Sequence, residues 1–288
     1  DTSTTIRADE HFSGHAIASF DKSEPRRALY GLHSMTFVRP KKHFGQHFLK
    51  EDSIAQRIGE ALTHHGGYRD VIEIGPGTGA LTKHLMHRED IDLTCVELDP
   101  EAAAHLREVY PELRLIEGDV LRLDLRKHFH GPFAIIGNFP YNISTQIIFQ
   151  VLEHRDQATE VVGMFQKEVS DRIRALPGNK VYGITSVVTQ AWYTIEQIMV
   201  VEPGSFIPPP KVRSAVIRLK RNNVEHLGCD EKRFFQLVKM AFNQRRKTLS
   251  NALKTFPGLE KGVPMPFAKQ RAEELSVADF VALVNAAS

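Results

Sequence analysis

The sequence has few cysteines and no long apolar run, and both absences limit what the protein can be. Its 288 residues include only Cys95 and Cys229, which are far apart and match no metal-ligand spacing. We therefore expect two reduced thiols in a cytoplasmic protein, with no disulfide framework and no bound metal. No apolar run is long enough to cross a bilayer, so we expect no association with a membrane.

Neither sign of charge predominates, because the formal net charge is only +2. Its distribution along the chain is nevertheless uneven. Residues 211–254 contain twelve Lys and Arg against three Asp and Glu. A basic block beside an acidic remainder indicates a surface that binds phosphates, although a solvated helix face would have the same composition.

Apolar periodicity divides the chain into three parts. Residues 1–34 are polar and show no sustained period, so we interpret them as a leader or tag outside the fold. In 35–221, apolar runs alternate with segments of helical character, which predicts a Rossmann-like α/β domain with a mostly parallel sheet. The seven predicted strands are 71–74, 93–98, 113–116, 133–136, 161–165, 195–201 and 215–219.

No helix is predicted between the last two of these strands, which indicates an antiparallel final strand. After residue 221 the apolar period becomes helical. We therefore predict a small, all-helical domain over 222–288.

A glycine-rich turn, Gly75-Pro76-Gly77-Thr78-Gly79, follows the first of the seven strands and opens a helix. Glycines let the backbone approach a ligand closely, and a helix N-terminus offers free N–H groups. The spacing differs from the G-x-G-x-x-G pattern of dinucleotide-binding proteins.

Two acids, Glu97 and Asp119, end the next two strands. Open α/β sheets bind ligands at that edge, where Glu97 could accept hydrogen bonds from ribose and Asp119 from an adenine amine. The glycine turn and both acids together favour a nucleoside ligand, but Glu97 alone would also suit a nicotinamide enzyme.

The motif Asn138-Phe139-Pro140-Tyr141 ends the fourth strand and has the form N-x-P-Y. It resembles the motif of methyltransferases that act on adenine N6. That resemblance implies that the Asn138 side-chain oxygen and the Phe139 carbonyl accept the two N6 hydrogens, while Tyr141 stacks on the base. The N6 lone pair is delocalised into the purine ring, so two acceptors would stabilise the charge that grows on nitrogen during methyl transfer.

Three further segments extend the resemblance over nearly everything after Met35. Residues 44–49 are similar to an N-terminal cofactor segment in which His47 replaces the usual Asn. Residues 206–212 resemble an F-x-P-x-P-K-V segment, in which Phe206 would be the second aromatic face against a flipped base. Residues 242–251 resemble the C-terminal signature of ribosomal enzymes. Together these features identify the chain as similar to the KsgA-type ribosomal RNA small-subunit adenine N6-dimethyltransferases.

The resemblance implies a cofactor, S-adenosyl-L-methionine, and two sets of binding residues. The cofactor residues would be Gln46, His47, Leu49, Gly75, Gly77, Glu97, Asp119 and Asn138. The target adenine would be held by Asn138, Phe139, Pro140, Tyr141 and Phe206. RNA phosphates would be bound by Lys211, Arg213, Arg245, Arg246 and Lys247, which position an RNA without reading its sequence.

The implied activity is dimethylation of two adjacent adenosines near the 3′ end of small-subunit ribosomal RNA. The partner would be a pre-ribosomal small subunit, and we expect the enzyme to act as a monomer. Two alternatives stay open, a ribosome-assembly factor with secondary catalysis and a related large-subunit ribosomal RNA adenine methyltransferase. The signature at 242–251 favours the small-subunit enzyme over both the large-subunit enzyme and a DNA adenine methyltransferase.

Overall fold

A computed structural model describes residues 38–41, 44–260 and 264–287 of the chain. The leader predicted at 1–34 lies outside these residues. The contacts of residues 36–288 form one compact unit. Within the described ranges, no helix is long and apolar enough to cross a membrane. In the same ranges, no group of three or more His, Cys, Asp and Glu side chains could hold a metal ion.

In the part of the chain that the structure describes, nine strands form one large sheet and one short ribbon. In chain order they are β1 (Phe48–Leu49), β2 (Asp70–Ile74), β3 (Asp92–Glu97), β4 (Arg114–Glu117), β5 (Phe133–Asn138), β6 (Ala158–Gln166), β7 (Tyr193–Val201), β8 (Phe206–Ile207) and β9 (Ser214–Arg221). The sheet has the order β4-β3-β2-β5-β6-β9-β7, and β1 pairs with β8. The pairs from β4 to β6 are parallel, whereas β9 is antiparallel to both β6 and β7. The predicted seven-stranded, mostly parallel sheet is confirmed, including its antiparallel final strand.

Helices separate most of the strands. They are α1 (Asp52–Glu60), α2 (Thr82–Met86), α3 (Pro100–Val109), α4 (Ser144–Glu153), α5 (Lys167–Arg174), α6 (Ile184–Gln190), α7 (Glu231–Asn243), α8 (Leu249–Ala252) and α9 (Val277–Ala286). Single 3₁₀ turns lie at Val120–Arg122, Leu125–Lys127, Pro203–Ser205 and Ala272–Glu274. Between β7 and β9 there is no α-helix, which is why β9 returns antiparallel to its neighbours.

The central strands are apolar on both faces because each face is covered. Successive side chains of a strand point to opposite faces. On β2 and β5, Ile72 and Ile135 accordingly join one buried cluster, while Val71 and Ile136 join a second on the other face. Burial on both faces explains the continuous apolar runs in the sequence.

The C-terminal helices share a core with the sheet. Trp192, which directly precedes β7, stacks on Phe235 of α7 at 5.5 Å between ring centroids and contacts Phe234 edge-on at 6.1 Å. One hydrophobic cluster includes Ile217 of β9 as well as Phe234 and Phe280. A common core therefore joins the structure on either side of the predicted boundary at residue 222.

Candidate active site

A cleft lies at the carboxyl edge of the sheet, where the parallel strands β2 to β5 end. Parallel α/β sheets bind ligands at this edge. The cleft is lined by residues 44–48, Ile74, Gly75, Gly77, residues 96–98, residues 118–120 and residues 138–143. It therefore brings together the glycine turn, both strand-end acids and the N-x-P-Y motif, as the sequence analysis predicts.

The glycine turn between β2 and α2 depends on residues without side chains. Gly75 and Gly77 both adopt the left-handed conformation, with φ of +66° and +57°. A Cβ atom on Gly77 would lie 2.7 Å from the Phe48 ring. The turn is thus a backbone cradle that only glycine can form without strain or a shift of Phe48.

Glu97, at the end of β3, ties this cradle to the sheet. Its buried carboxylate accepts one hydrogen bond from the Gly77 N–H at 3.0 Å and another from the Asp99 N–H at 2.9 Å. Burial raises the pKa of Glu97. A carboxylate has about four lone-pair positions, so Glu97 can also accept hydrogen bonds from a ligand's hydroxyl groups.

The second acid, Asp119, lines the cleft after β4. One of its carboxylate oxygens accepts a hydrogen bond from the Leu121 N–H at 3.0 Å and so begins the 3₁₀ turn Val120–Arg122. This bond fixes the carboxylate beside the apolar Val120, which lines the same wall.

Glu73, the fourth residue of strand β2, is a buried acid for which the sequence pattern predicted no role. Its buried carboxylate accepts hydrogen bonds from the Thr82 hydroxyl at 2.7 Å and the Cys95 thiol at 3.4 Å. Burial raises the pKa of Glu73 to about 7. Glu73 therefore links β2 to α2 and β3 directly beneath the glycine turn.

Gln46 lines the cleft, but its amide is engaged by the chain itself. The amide oxygen accepts a hydrogen bond from the Lys41 N–H at 2.9 Å, and the amide nitrogen donates to Asp99 at 3.2 Å. The Lys41 ammonium also pairs with the fully buried Asp99 at 2.6 Å. Gln46 thus fastens the N-terminal segment across the cleft.

Asn138, the last residue of β5, has an amide whose orientation is fixed. Its nitrogen donates to the His47 carbonyl oxygen at 2.8 Å. A carbonyl can only accept, so the NH₂ group must face it and the oxygen Oδ1 must face the opposite way. Within the described part of the chain no hydrogen bond occupies Oδ1, which leaves one oriented acceptor in the cleft.

Phe139 anchors this loop through its side chain. The ring is buried and meets Phe165 edge-on at 5.2 Å between centroids. It fills a slot in the sheet where Cβ atoms on Gly137 and Gly163 would come within 2.9 and 2.3 Å of it. The chain beside Asn138 is therefore held rigidly from below. Pro140, the next residue, lines the cleft.

Tyr141 is held at its hydroxyl and on its ring. The hydroxyl lies 2.6 Å from the buried Ser214 hydroxyl, and the ring lies 5.2 Å from the His47 ring at a tilt of 30°. The His47 Nδ1 lies 2.7 Å from the Pro208 carbonyl oxygen and so donates to it. Burial raises the pKa of Tyr141, so its hydroxyl stays neutral.

A second cavity of about 650 Å³ adjoins the cleft and shares Gly45, Gln46, His47 and Tyr141 with it. Its remaining walls are Pro40, Gln166 and residues 207–212. Asn138 and the glycine turn do not line it.

Two predicted site residues lie elsewhere. Phe206 is only 1% exposed and pairs with Leu49 between β8 and β1, inside the second buried cluster. It lines neither cavity, so the stacking role predicted for Phe206 is wrong for this structure. Leu49 is also buried and lies outside the cleft, although it lines a small void behind the glycine turn.

The predicted phosphate-binding residues divide into two groups. Lys211, Arg213, Arg246 and Lys247 are exposed. Arg245 is half-buried, and its guanidinium pairs with Glu273 and contacts the Asn179 carbonyl. Arg245 therefore stabilises the helical part, which corrects the prediction that all three neighbouring cations face RNA.

Apolar residues directly after the strand-end acids complete the cleft wall and were missed from the sequence. Leu98 follows Glu97 and is 47% exposed, and Val120 follows Asp119. An apolar residue immediately after each acid is the signal that could have identified them.

Comparisons with known proteins identify the family of this chain. A model of the family "Ribosomal RNA adenine dimethylase" matches residues 38–288. The chain is 53% identical to "Ribosomal RNA small subunit methyltransferase A" of Cytophaga hutchinsonii, with 87% of this chain and 98% of the relative covered. It is 50% identical to the protein of the same name from Parabacteroides distasonis, with 86% and 94% covered.

Two solved structures share the fold. A dimethyladenosine transferase from Plasmodium falciparum superimposes with a TM-score of 0.68 at 26% identity, covering 82% of this chain and 96% of that one. The 23S ribosomal RNA methyltransferase ErmE superimposes with a TM-score of 0.59 at 24% identity, covering 82% and 99%. The match over residues 38–288 and the identity near one half show that the chain belongs to the ribosomal RNA adenine dimethylase family.

Proposed function

We propose that this protein transfers methyl groups from S-adenosylmethionine to N6 of two adjacent adenosines near the 3′ end of small-subunit ribosomal RNA. The observation that carries the proposal is the Asn138 amide, which His47 orients so that one unoccupied acceptor remains in the cleft. That acceptor lies at the strand edge beside Glu97 and the glycine turn.

The cleft residues fit S-adenosylmethionine. The Gly77 backbone would lie against the cofactor, the Glu97 carboxylate would accept hydrogen bonds from its ribose, and Asp119 would accept from its adenine amine. Leu98 and Val120 give the adenine an apolar wall. When bound, the cofactor supplies a methyl group already activated by a sulfonium.

The chain's own groups then have to hold and polarise the RNA base. The Asn138 Oδ1 and the Phe139 carbonyl accept the two N6 hydrogens, which draws the amine out of conjugation and stabilises the charge growing on nitrogen. Tyr141 stacks on the base and aligns it. The amine nitrogen would bond to the methyl carbon as the carbon–sulfur bond breaks and leaves a neutral thioether, and the nitrogen, now cationic, would lose its proton to water.

The substrate would be a partly assembled small subunit in the cytoplasm, bound by the enzyme as a monomer. The exposed cations Lys211, Arg213, Arg246 and Lys247 support RNA binding because they are available to phosphates. The names of the relatives support the small subunit over the large one.

The test is incubation with labelled S-adenosylmethionine and, separately, undermethylated small subunits, large subunits and duplex DNA. We expect label only in the small subunit, as dimethyladenosine at two neighbouring positions. Label in large-subunit RNA or in DNA at equal efficiency would contradict the proposal.

A further inference from the structure

The second cavity contains a polar side chain that the proposed chemistry does not use. Gln166 ends β6 and lines this cavity. Within the described residues, no hydrogen bond engages its side-chain amide, and it does not cap α5, which follows it. Gln166 pairs across the sheet with Ser214, whose hydroxyl holds that of Tyr141. A free amide therefore lies near the aromatic ring that would stack on the target base.

The other walls of this cavity suit a nucleotide. Ile207 and Val212 are 53% and 45% exposed, although both are large apolar side chains. Ile207 ends β8, and Val212 lies on the following loop with the exposed prolines Pro208 and Pro209 and the exposed Lys211. Apolar surface for a base or sugar, one cation for a phosphate and one free amide are the combination that binds single-stranded RNA.

A base in this cavity would not be the one that reacts. Asn138, which would hold the reacting amine, lines the cleft but not the second cavity. The two spaces meet at residues 45–47 and Tyr141, so neighbouring nucleotides of one strand could occupy both.

We propose that the second cavity binds the nucleotide flanking the target adenosine and that Gln166 reads the edge of its base. The inference rests on the proposed function, in which the two adenosines are adjacent. An amide offers one donor and one acceptor side by side, which matches the N7 acceptor and N6 donor of adenine. Gln166 would thus make recognition of one adenosine depend on its neighbour.

The experiment uses small subunits in which the flanking adenosine is replaced by purine riboside, which retains N7 but lacks the N6 amine. We expect the unaltered enzyme to methylate the target with a kcat/KM about 10-fold higher when the flanking base is adenine. Gln166→Met retains the side-chain length but offers no amide, so this preference should fall to about one. Gln166→Glu retains an acceptor for the N6 amine but loses the donor to N7, so it should methylate both substrates less efficiently while keeping the preference.

Gln56→Met is the matched control, because Gln56 lies on the exposed face of α1 and its side chain donates to Glu60 on the same helix. It should retain the preference, and cofactor affinity should be unchanged in every variant. An undiminished preference in Gln166→Met, or none in the unaltered enzyme, would overturn the inference. No methylation of unmodified subunits would instead overturn the proposed function, and the subsite with it.

Discussion

The cofactor cleft and the second cavity are neighbours that differ in how their polar groups are satisfied. In the cleft, Glu97, Asp119 and Asn138 each hydrogen-bond to the chain's own backbone. In the second cavity, Gln166 and Lys211 have no partner among the described residues. The cleft is pre-organised for one small ligand, whereas the contacts of the cavity are left for a larger partner to complete.

The difference follows from the elements that build each space. The cleft lies at the ends of four parallel strands whose positions are fixed by the sheet. Most of the second cavity is a loop between β8 and β9, and loops on a rigid scaffold are where binding residues commonly lie. Substitutions in each region can therefore test whether the cleft works through fixed geometry and the outer surface through charge.

The largest effect is expected from removing the Asn138 amide oxygen, the side-chain acceptor proposed to hold the reacting amine. Asn138→Ala should lower methyl transfer about 10²–10³-fold, the loss typical when one preorganised hydrogen-bonding group is removed from a transition state. Labelled methyl incorporation into undermethylated small subunits measures it.

Binding should survive in this variant, because the Asn138 amide oxygen acts on the reacting amine and not on phosphates. Asn285→Ala, on the exposed face of α9, is the matched control and should retain full activity. An Asn138→Ala enzyme that methylates at the normal rate would show that Asn138 has no catalytic role.

A smaller effect, on the free energy of unfolding, is expected from replacing Glu73 beneath the glycine turn. The pKa of Glu73 is raised to about 7 in the folded protein by burial. The folded state therefore binds this proton more tightly than the unfolded state, and the stability contributed by Glu73 decreases as pH rises from about 4.5 to 7. Glu73→Gln cannot ionise, so its free energy of unfolding should gain up to ~3 kcal/mol relative to the unaltered protein over that range.

Denaturant unfolding of both proteins at pH 5 and pH 8 measures this difference. Glu260→Gln changes an exposed carboxyl and should leave the pH dependence unaltered. Parallel pH profiles for Glu73→Gln and the unaltered protein would show that Glu73 ionises normally in the fold.

The smallest effect is expected at the basic turn after α7. Replacing exposed Arg246 and Lys247 together by Ala should weaken RNA binding and reduce the slope of log affinity against log salt by about 1.5.

Arg245→Ala should instead lower the free energy of unfolding by about 0.5–1 kcal/mol, because it loses the partly exposed pair with Glu273.

Binding titrations over a range of salt concentrations, with thermal unfolding alongside, distinguish the two variants. Equal salt slopes for the double variant and the unaltered protein would exclude this turn from the RNA surface. A larger slope change in Arg245→Ala than in the double variant would show that the Glu273 pair opens on binding.

The sequence predicted the position of a site residue correctly where that residue directly follows a strand of the parallel sheet. The glycine turn, Glu97, Asp119 and Asn138 each follow an apolar run, and parallel strands bring such residues to one edge. Their meeting in one cleft was therefore predictable without knowledge of packing.

Phe206 shows where prediction failed. Motif position identified an aromatic residue near the site, but the register of the β1–β8 ribbon decides which side chain is buried. Phe206 pairs with Leu49 and is buried, while its neighbour Ile207 is exposed at the second cavity. The prediction for Arg245 was wrong for a similar reason, because its partner Glu273 is 28 residues away in the chain.

The amino-acid sequence by itself determined the succession of strands and helices along the chain, the edge of the sheet that binds ligands and the chemistry of the N-x-P-Y loop. These features depend on local periodicity and residue type. Only the tertiary structure decided which atoms remain unpaired. The free Asn138 oxygen and the free Gln166 amide exist because contacts between distant segments satisfy their neighbours and leave these groups without a partner.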